Sequence, residues 1–493
     1  MLLLGIDLGT SSIKVSVVDS QTLNCICSTN YPETETEIIS PKTGWAEQSP
    51  DDWWHNIKQA ILKANSFNLY DPKDISAIGI SYQMHGLVVL DKNGEVLRNS
   101  IIWCDSRAVE IGNKAFDEIG HSTSLQRLLN SPGNFTASKL AWIKENEPEI
   151  FDRIDKIMLP GDFAAYKFTG SITTSISALS EGIFWDFKSR EISKDVMNYY
   201  GFRDYLIPVV QDLFSVHGNV TKEVALELGL KAGIPVSYKS GDQPNNALSL
   251  NVLNPGEVAA TAGTSGVIYG VTDELTFDTQ SRVNTFAHVN YTHANPSLGV
   301  LLCINGTGIL NRWLKDITRS ESYAAMNDLA SKVNIGADGL RILPFGNGAE
   351  RMLENKSVGA QFYNLDFNIH QHAHLVRAGQ EGIACSFKYG FDILQENKIN
   401  PTIIRAGKAN MFLSPIFSEA FVNTLNIPVE LYNNDGSVGA AIGAGIGNRC
   451  YSNPGEAFSN FKPLTIIEPQ KDLVEKYQSV YNDWFQYLDK QIQ

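Results

Sequence analysis

Leu2 to Val18, LLLGIDLGTSSIKVSVV, runs apolar, turns at Gly9, Thr10, Ser11 and Ser12, and resumes with Ile13, Val15 and Val17 on alternate positions. Period-two alternation around a Gly-Thr-Ser turn predicts a β-hairpin. The pattern returns in the second half, where Val258 to Ala262 leads into Gly263, Thr264, Ser265 and Gly266, then Val267 to Val271. Two half-chains that open alike predict a duplicated domain.

At 493 residues the chain exceeds the ~250–300 at which single hydrophobic cores stop growing. Each half continues as strand-rich sequence followed by helical periodicity, as in SKLAWIKENEPEIFDRI and AHLVRAGQEGIACSFKYGFDILQE. Strands feeding helices predict α/β layers. Breakers at Gly241 and Pro244 put the boundary near 245 to 255, giving halves 1–248 and 249–493. Two such domains with paired turns predict a ligand cleft between them.

The turns offer N–H groups and hydroxyls of the kind that phosphate oxygens require. No GxxxxGK[ST] occurs, and no GxGxxG opens a helix after a strand. A formal charge of -14 without a Lys/Arg cluster argues against nucleic acid and anionic lipid as partners. The six cysteines form no CxxC pair, and no apolar run approaches ~18 residues, so the chain reads as cytoplasmic with reduced thiols.

Asp7 interrupts the first apolar run where a core side chain is expected, while its counterpart in the second hairpin is Thr261. Asp242, in SGDQPNNAL, follows a strand end and is the strongest candidate for chemistry; the competing reading is a cap for a helix starting near Asn245. Ile75 to Ser81 reads as a strand that Tyr82, Gln83, Met84 and His85 interrupt, a loop suited to a hydroxyl-rich ligand. Trp45, Glu47, Gln48, Trp103, Asp105 and Arg107 join these candidates. Ser49 or Asp51 is expected to cap a helix carrying Trp53 and Trp54. His370, His372 and His374 sit at a predicted helix start, where capping is favoured over metal binding.

GIDLGTSSIK, GWAEQSPDDWW, QMHG with RNSIIWCDSRA, PGNFTASKLAWIKENEPEIF, GDQ and GTSGVIYG resemble, in order from residue 2 to about 447, the FGGY family of carbohydrate kinases and within it the xylulokinase branch. The resemblance implies two ribonuclease-H-like, actin-type ATPase domains that close on ATP and a sugar. It implies a cytoplasmic enzyme, possible as a homodimer, that phosphorylates the terminal hydroxyl of a ketose, D-xylulose first. Ribulose, gluconate or glycerol kinase, or a non-catalytic sensor of the same fold, are the alternatives.

Carried over by motif, Asp242 is the general base and Asp7 holds Mg²⁺. Met84 and His85 bind the sugar, with Gln83, Trp103, Asp105 and Asp242 around it. Thr10, Ser11, Ser12, Lys14, Gly263, Thr264 and Ser265 meet the phosphates, and Gly308, Gly407 and Asn410 meet adenosine. The family's glycine run on the adenine side reads RAGKANMF here, and its Gly-Glu-Arg-Thr-Pro loop reads GNGAERMLEN.

Overall fold

Leu2–Leu8 and Ile13–Asp19 form the first hairpin, in a computed structural model that describes residues 1–433 and 435–493. Cys25–Tyr31 continues it antiparallel on one side. On the other side Ile75–Tyr82 and then Pro235–Gly241 run parallel, and the short Gly218–Asn219 strand closes the edge antiparallel. Parallel neighbours need long crossovers, which is why strands adjacent in the sheet stand far apart in sequence.

The second sheet repeats this order. Glu257–Ala262 takes the place of Leu2–Leu8, antiparallel to Gly266–Thr272, which in turn pairs with Leu298–Ile304. Ile403–Gly407 and Val429–Tyr432 follow in parallel, with Thr465–Ile467 antiparallel at the edge. Asn284–Ala287 is an extra strand outside Leu298–Ile304. The duplication read from two hairpins therefore extends to six corresponding strands.

Alternation fixes which side chains enter the core. Leu4, Ile6, Leu8, Val15 and Val17 are fully buried, and Trp53 and Trp54 of the Pro50–Ser66 helix pack in the same cluster. That helix starts as its sequence predicts: Ser49 Oγ accepts the Asp52 N–H at 3.2 Å, Pro50 occupies the first turn, and Asp51 and Asp52 face the positive end of the dipole.

One element crosses between the halves. The Gly436–Gly447 helix, GSVGAAIGAGIG, belongs by sequence to the second half but packs on Leu2–Leu8, Ile75–Tyr82 and Pro235–Gly241. It approaches to backbone distance. A Cβ on Gly5 would stand 1.8 Å from the Ser437 carbonyl oxygen, and one on Gly79 would stand 1.9 Å from that of Ala440. The Asp242–Ser249 helix, which follows the corresponding strand of the first sheet, packs against it, and Asn245 Nδ2 donates to the Gly436 carbonyl at 2.8 Å. These two helix starts bring Asp242 and Asp435 toward Asp7.

Candidate active site

Asp7 lies one residue from the end of its strand, paired in register with Lys14 across the hairpin. Lys14 forms an ion pair with Asp435, the N-cap of the crossing helix, whose Oδ1 also accepts from the Ser437 amide at 2.9 Å and hydroxyl at 2.6 Å. Burial pushes the Asp435 carboxyl up, but Lys14 and Ser437 outweigh it and hold it below the usual range. Asp7 ends on the other side: burial raises it, the Asp435 charge adds to this, and the Ser81 hydroxyl and Lys14 offset only part. Lys14, still partly exposed, is thus engaged by a protein carboxylate beside Asp7.

Asp242 is the first residue of the helix that follows Pro235–Gly241. The helix begins at Asp242 itself rather than near Asn245. Burial, reinforced by the Asp7 charge, pushes its carboxyl up to about 7, although the Gln243 amide favours the ionised form. A carboxyl titrating near neutrality beside a second acid is the pattern of a general base tuned by desolvation and like charge.

The loops singled out in the first half meet around Thr10. Its hydroxyl donates to Gln83 Oε1 at 3.2 Å and accepts from Trp103 Nε1 at 2.9 Å. Its carbonyl accepts from Gln48 Nε2 at 2.8 Å, and Gln48 Oε1 accepts from both Gln83 Nε2 and Trp53 Nε1. The Thr10 hydroxyl therefore ties three loops together. Ser11 is exposed and Ser12 half-buried on the same turn. The Trp103 ring is 52% exposed, leaving a face for a ligand.

Asp105 requires a correction. It is fully buried, with its oxygens spent on the Ala46 amide at 2.6 Å and on the Arg107 guanidinium at 2.7 to 3.0 Å. Arg107 also pairs with Glu47 at 2.7 Å and lies over the Trp45 ring at 3.8 Å. Asp105 braces the loop that carries Trp103 and has no oxygen left for a sugar.

Met84 is buried, and His85 sits beyond it with φ +61°. The imidazole packs edge-on to Phe135 at 4.8 Å and against Phe286 of the second sheet at 5.4 Å. Burial, with the Lys139 and Arg351 charges, drives its pKa down to about 3, so the ring is neutral. Lys139 Nζ donates to the carbonyls of His85 at 2.8 Å and Ile102 at 3.0 Å, linking the MHG and WCD loops from below. Sequence reasoning passed over Lys139, although helical periodicity in SKLAWI places it on the buried face; it also passed over Asp435 and Glu181.

In the second half, Gly263, Thr264 and Ser265 form the matching turn. Thr307 Oγ1 donates to the Gly263 carbonyl at 3.1 Å and Gly308 N–H donates to it at 2.9 Å, so this turn rests on the start of the Gly308–Ile317 helix. A Cβ on Gly308 would stand 2.3 Å from that carbonyl. Beside the turn opens a cavity of about 540 Å³ lined by Gly263, Thr264, Gly308, Asn311, Arg312, Tyr323, Asn327 and Asn410 among others. Gly407 is not among its lining residues; it ends the Ile403–Gly407 strand, and its carbonyl accepts from Ala409. Asn410 holds φ +53°, a left-handed conformation that Asn adopts more readily than most other side chains. Arg405 in the altered motif pairs with Glu257 at 3.1 Å and Glu430 at 2.9 Å, beneath the strand ends.

His374 caps its own helix, its Nδ1 accepting the Gln371 N–H at 3.1 Å, in line with the capping expectation. No group of three His, Cys, Asp or Glu side chains that could hold a metal occurs among the described residues. Nor do these include a helix long and apolar enough to cross a membrane.

Two ribonuclease-H-like sheets in tandem, each built on a hairpin with a polar turn, define an actin-type ATPase fold. The model for the N-terminal domain of the FGGY family of carbohydrate kinases matches residues 2–249. Over 97% of its length the chain is 31% identical to a xylulose kinase of Staphylococcus epidermidis, covering 95% of it, and 28% identical to that of Bacillus subtilis with the same coverage. The crystal structure of a xylulose kinase from Rhodospirillum rubrum superposes with a TM-score of 0.89 at 25% identity over 99% of both chains. A gluconate kinase from Lactobacillus acidophilus shares the fold with a TM-score of 0.90 at 20% identity, over 100% of this chain and 98% of its own. The chain belongs to the FGGY family of carbohydrate kinases and is a sugar kinase.

Proposed function

We propose that the enzyme transfers the γ-phosphoryl group of ATP to the terminal hydroxyl of a ketose, with D-xylulose the first candidate. The named activity of the relatives that match nearly the whole chain supports this choice of sugar. Residues 1–248 then carry the sugar loops and the base, and residues 249–493 the nucleotide, with the crossing helix joining them at Asp7.

The observation that carries the chemistry is Asp242, a half-buried carboxyl whose desolvation pushes its pKa up to about 7 at a helix start beside Asp7. Its carboxylate accepts the proton of the substrate hydroxyl as that oxygen bonds to the γ-phosphorus and the bond to ADP breaks; solvent then removes the proton from Asp242. Phosphoryl transfer is mainly positioning and charge stabilisation. The neutral His85, the exposed Trp103 ring and Gln83 would orient the sugar, and the cavity beside Gly263 and Asn410 would take adenosine.

Asp7 fits a Mg²⁺ ion, a hard cation that takes one or two carboxylates and otherwise water and phosphate oxygens, because among the described residues the nearby Lys14 is paired with Asp435 rather than with Asp7. Bound there, the ion would offset charge on the β and γ phosphates.

ADP release measured over a panel of D-xylulose, D-ribulose, gluconate and glycerol tests the reading. D-xylulose is expected to give the highest kcat/KM. A preference for gluconate or glycerol would reassign the substrate, and indifference to every sugar would remove the kinase reading.

A further inference from the structure

Glu181 ends a short helix in the first half, Ile176–Glu181, and is 1% exposed. Its position is anchored on the far side, where the neighbouring Gly182 carbonyl accepts the Ala137 N–H at 3.0 Å. Two of its groups reach His85. Its Oε1 accepts the His85 backbone N–H at 3.4 Å, and its backbone carbonyl lies 3.0 Å from His85 Nδ1. Such a clasp holds His85 in place, because a non-glycine residue at φ +61° occupies a sparsely populated backbone region.

The second bond has a chemical consequence. A carbonyl oxygen accepts and never donates, so the hydrogen between the two must sit on Nδ1. In a neutral imidazole this leaves Nε2 as a bare lone pair. The carboxyl itself stands at the acceptor end of the site: a Cβ on Gly241, the residue before Asp242, would lie 2.6 Å from Glu181 Oε2 and 2.6 Å from Met84 Cγ. Among the described residues no group makes a hydrogen bond of ordinary geometry with Oε2. Burial, with the Asp242 and Asp162 charges, pushes this carboxyl well above the ordinary range, although the His85 amide and Tyr82 favour its ionised form.

We propose that Glu181 is a positioning residue for the phosphoryl acceptor: it clasps His85 so that Nε2 is presented as a hydrogen-bond acceptor to a hydroxyl of a neutral polyhydroxy substrate. The proposal rests on the reading that His85 lines the sugar pocket. It assigns the side chain to holding the His85 backbone and the main chain to fixing the tautomer.

Two measurements on the full-length enzyme test it. In ¹⁵N-histidine-labelled wild type, with His85 assigned through His85→Asn, the ring is expected to stay neutral and protonated on Nδ1 from pH 6 to 8. A ring protonated on Nε2, or charged at pH 6, would overturn the proposal whatever the variants do. In kinetics, Glu181→Ala is expected to raise the KM for the sugar roughly tenfold, the equivalent of one lost hydrogen bond, with the KM for ATP within twofold. Glu181→Gln, which keeps an acceptor for the His85 N–H, is expected to restore the sugar KM to within about threefold of wild type. Equal sugar KM values for Glu181→Ala and wild type would refute the clasp. Absence of sugar-stimulated turnover in the wild type would instead refute the kinase reading, and the spectrum of His85 reads the clasp independently of it.

Discussion

Gly436 faces Asp7 with no room for a side chain: a Cβ there would lie 2.4 Å from Asp7 Oδ2 and 3.0 Å from Cγ. The first residue of a helix from the second half therefore shapes the pocket of an acid on the first strand of the chain. An aspartate has one short side chain with which to retreat. Gly436→Ala should displace the carboxylate, lower turnover about 10²-fold and raise the Mg²⁺ concentration needed for half-maximal rate, the cost expected of a group misplaced by about an ångström. Steady-state rates against Mg²⁺ check this, and wild-type Mg²⁺ dependence in the variant would dissociate Gly436 from the site.

The half-buried acid at position 242 also has a stability signature. Its folded pKa, about 7, stands above the ordinary ~3.9, so the folded state holds a proton that the unfolded chain releases. Stability from this group is full below pH ~4 and declines as pH rises through about 7. Asp242→Asn removes the decline. Without Mg²⁺ or nucleotide, the melting temperature of Asp242→Asn should exceed that of wild type at pH 8, with the gap closing toward pH 5. A gap independent of pH would mean that Asp242 titrates as an ordinary carboxylate.

Much of the site was legible because its residues interrupt patterns. Asp7 stands in an apolar strand, Asp242 after a strand end, and Gln83 to His85 between two strands, so each announced itself against its neighbours. The duplicated order of six strands was legible only at the hairpins, where local turn chemistry is strong; the parallel pairings are long-range contacts with no local signal. Residues that act through others were harder. Asp105 looks like a ligand in sequence, yet Arg107 two residues later takes its carboxylate in the fold. Lys14 looked free because its partner Asp435 is remote in sequence. Glu181 gave no signal at all, since its tie to His85 depends on how a short helix stops.

The nucleotide reading makes a separable prediction. Ala324 lines the cavity beside Gly263 and is itself exposed, so a larger side chain is tolerated by the fold. Ala324→Trp should raise the KM for ATP about tenfold or more by filling the space, while calorimetric affinity for the sugar stays within twofold. An unchanged KM for ATP would move adenosine out of this cavity.

The central claim is that Asp242 takes the proton of the sugar hydroxyl. Turnover and sugar affinity of Asp242→Asn, measured side by side with D-xylulose by coupled ADP release and by calorimetry, test it most directly. Turnover is expected to fall ~10²–10⁴-fold with sugar affinity within a few-fold of wild type. Turnover within tenfold of wild type would contradict it.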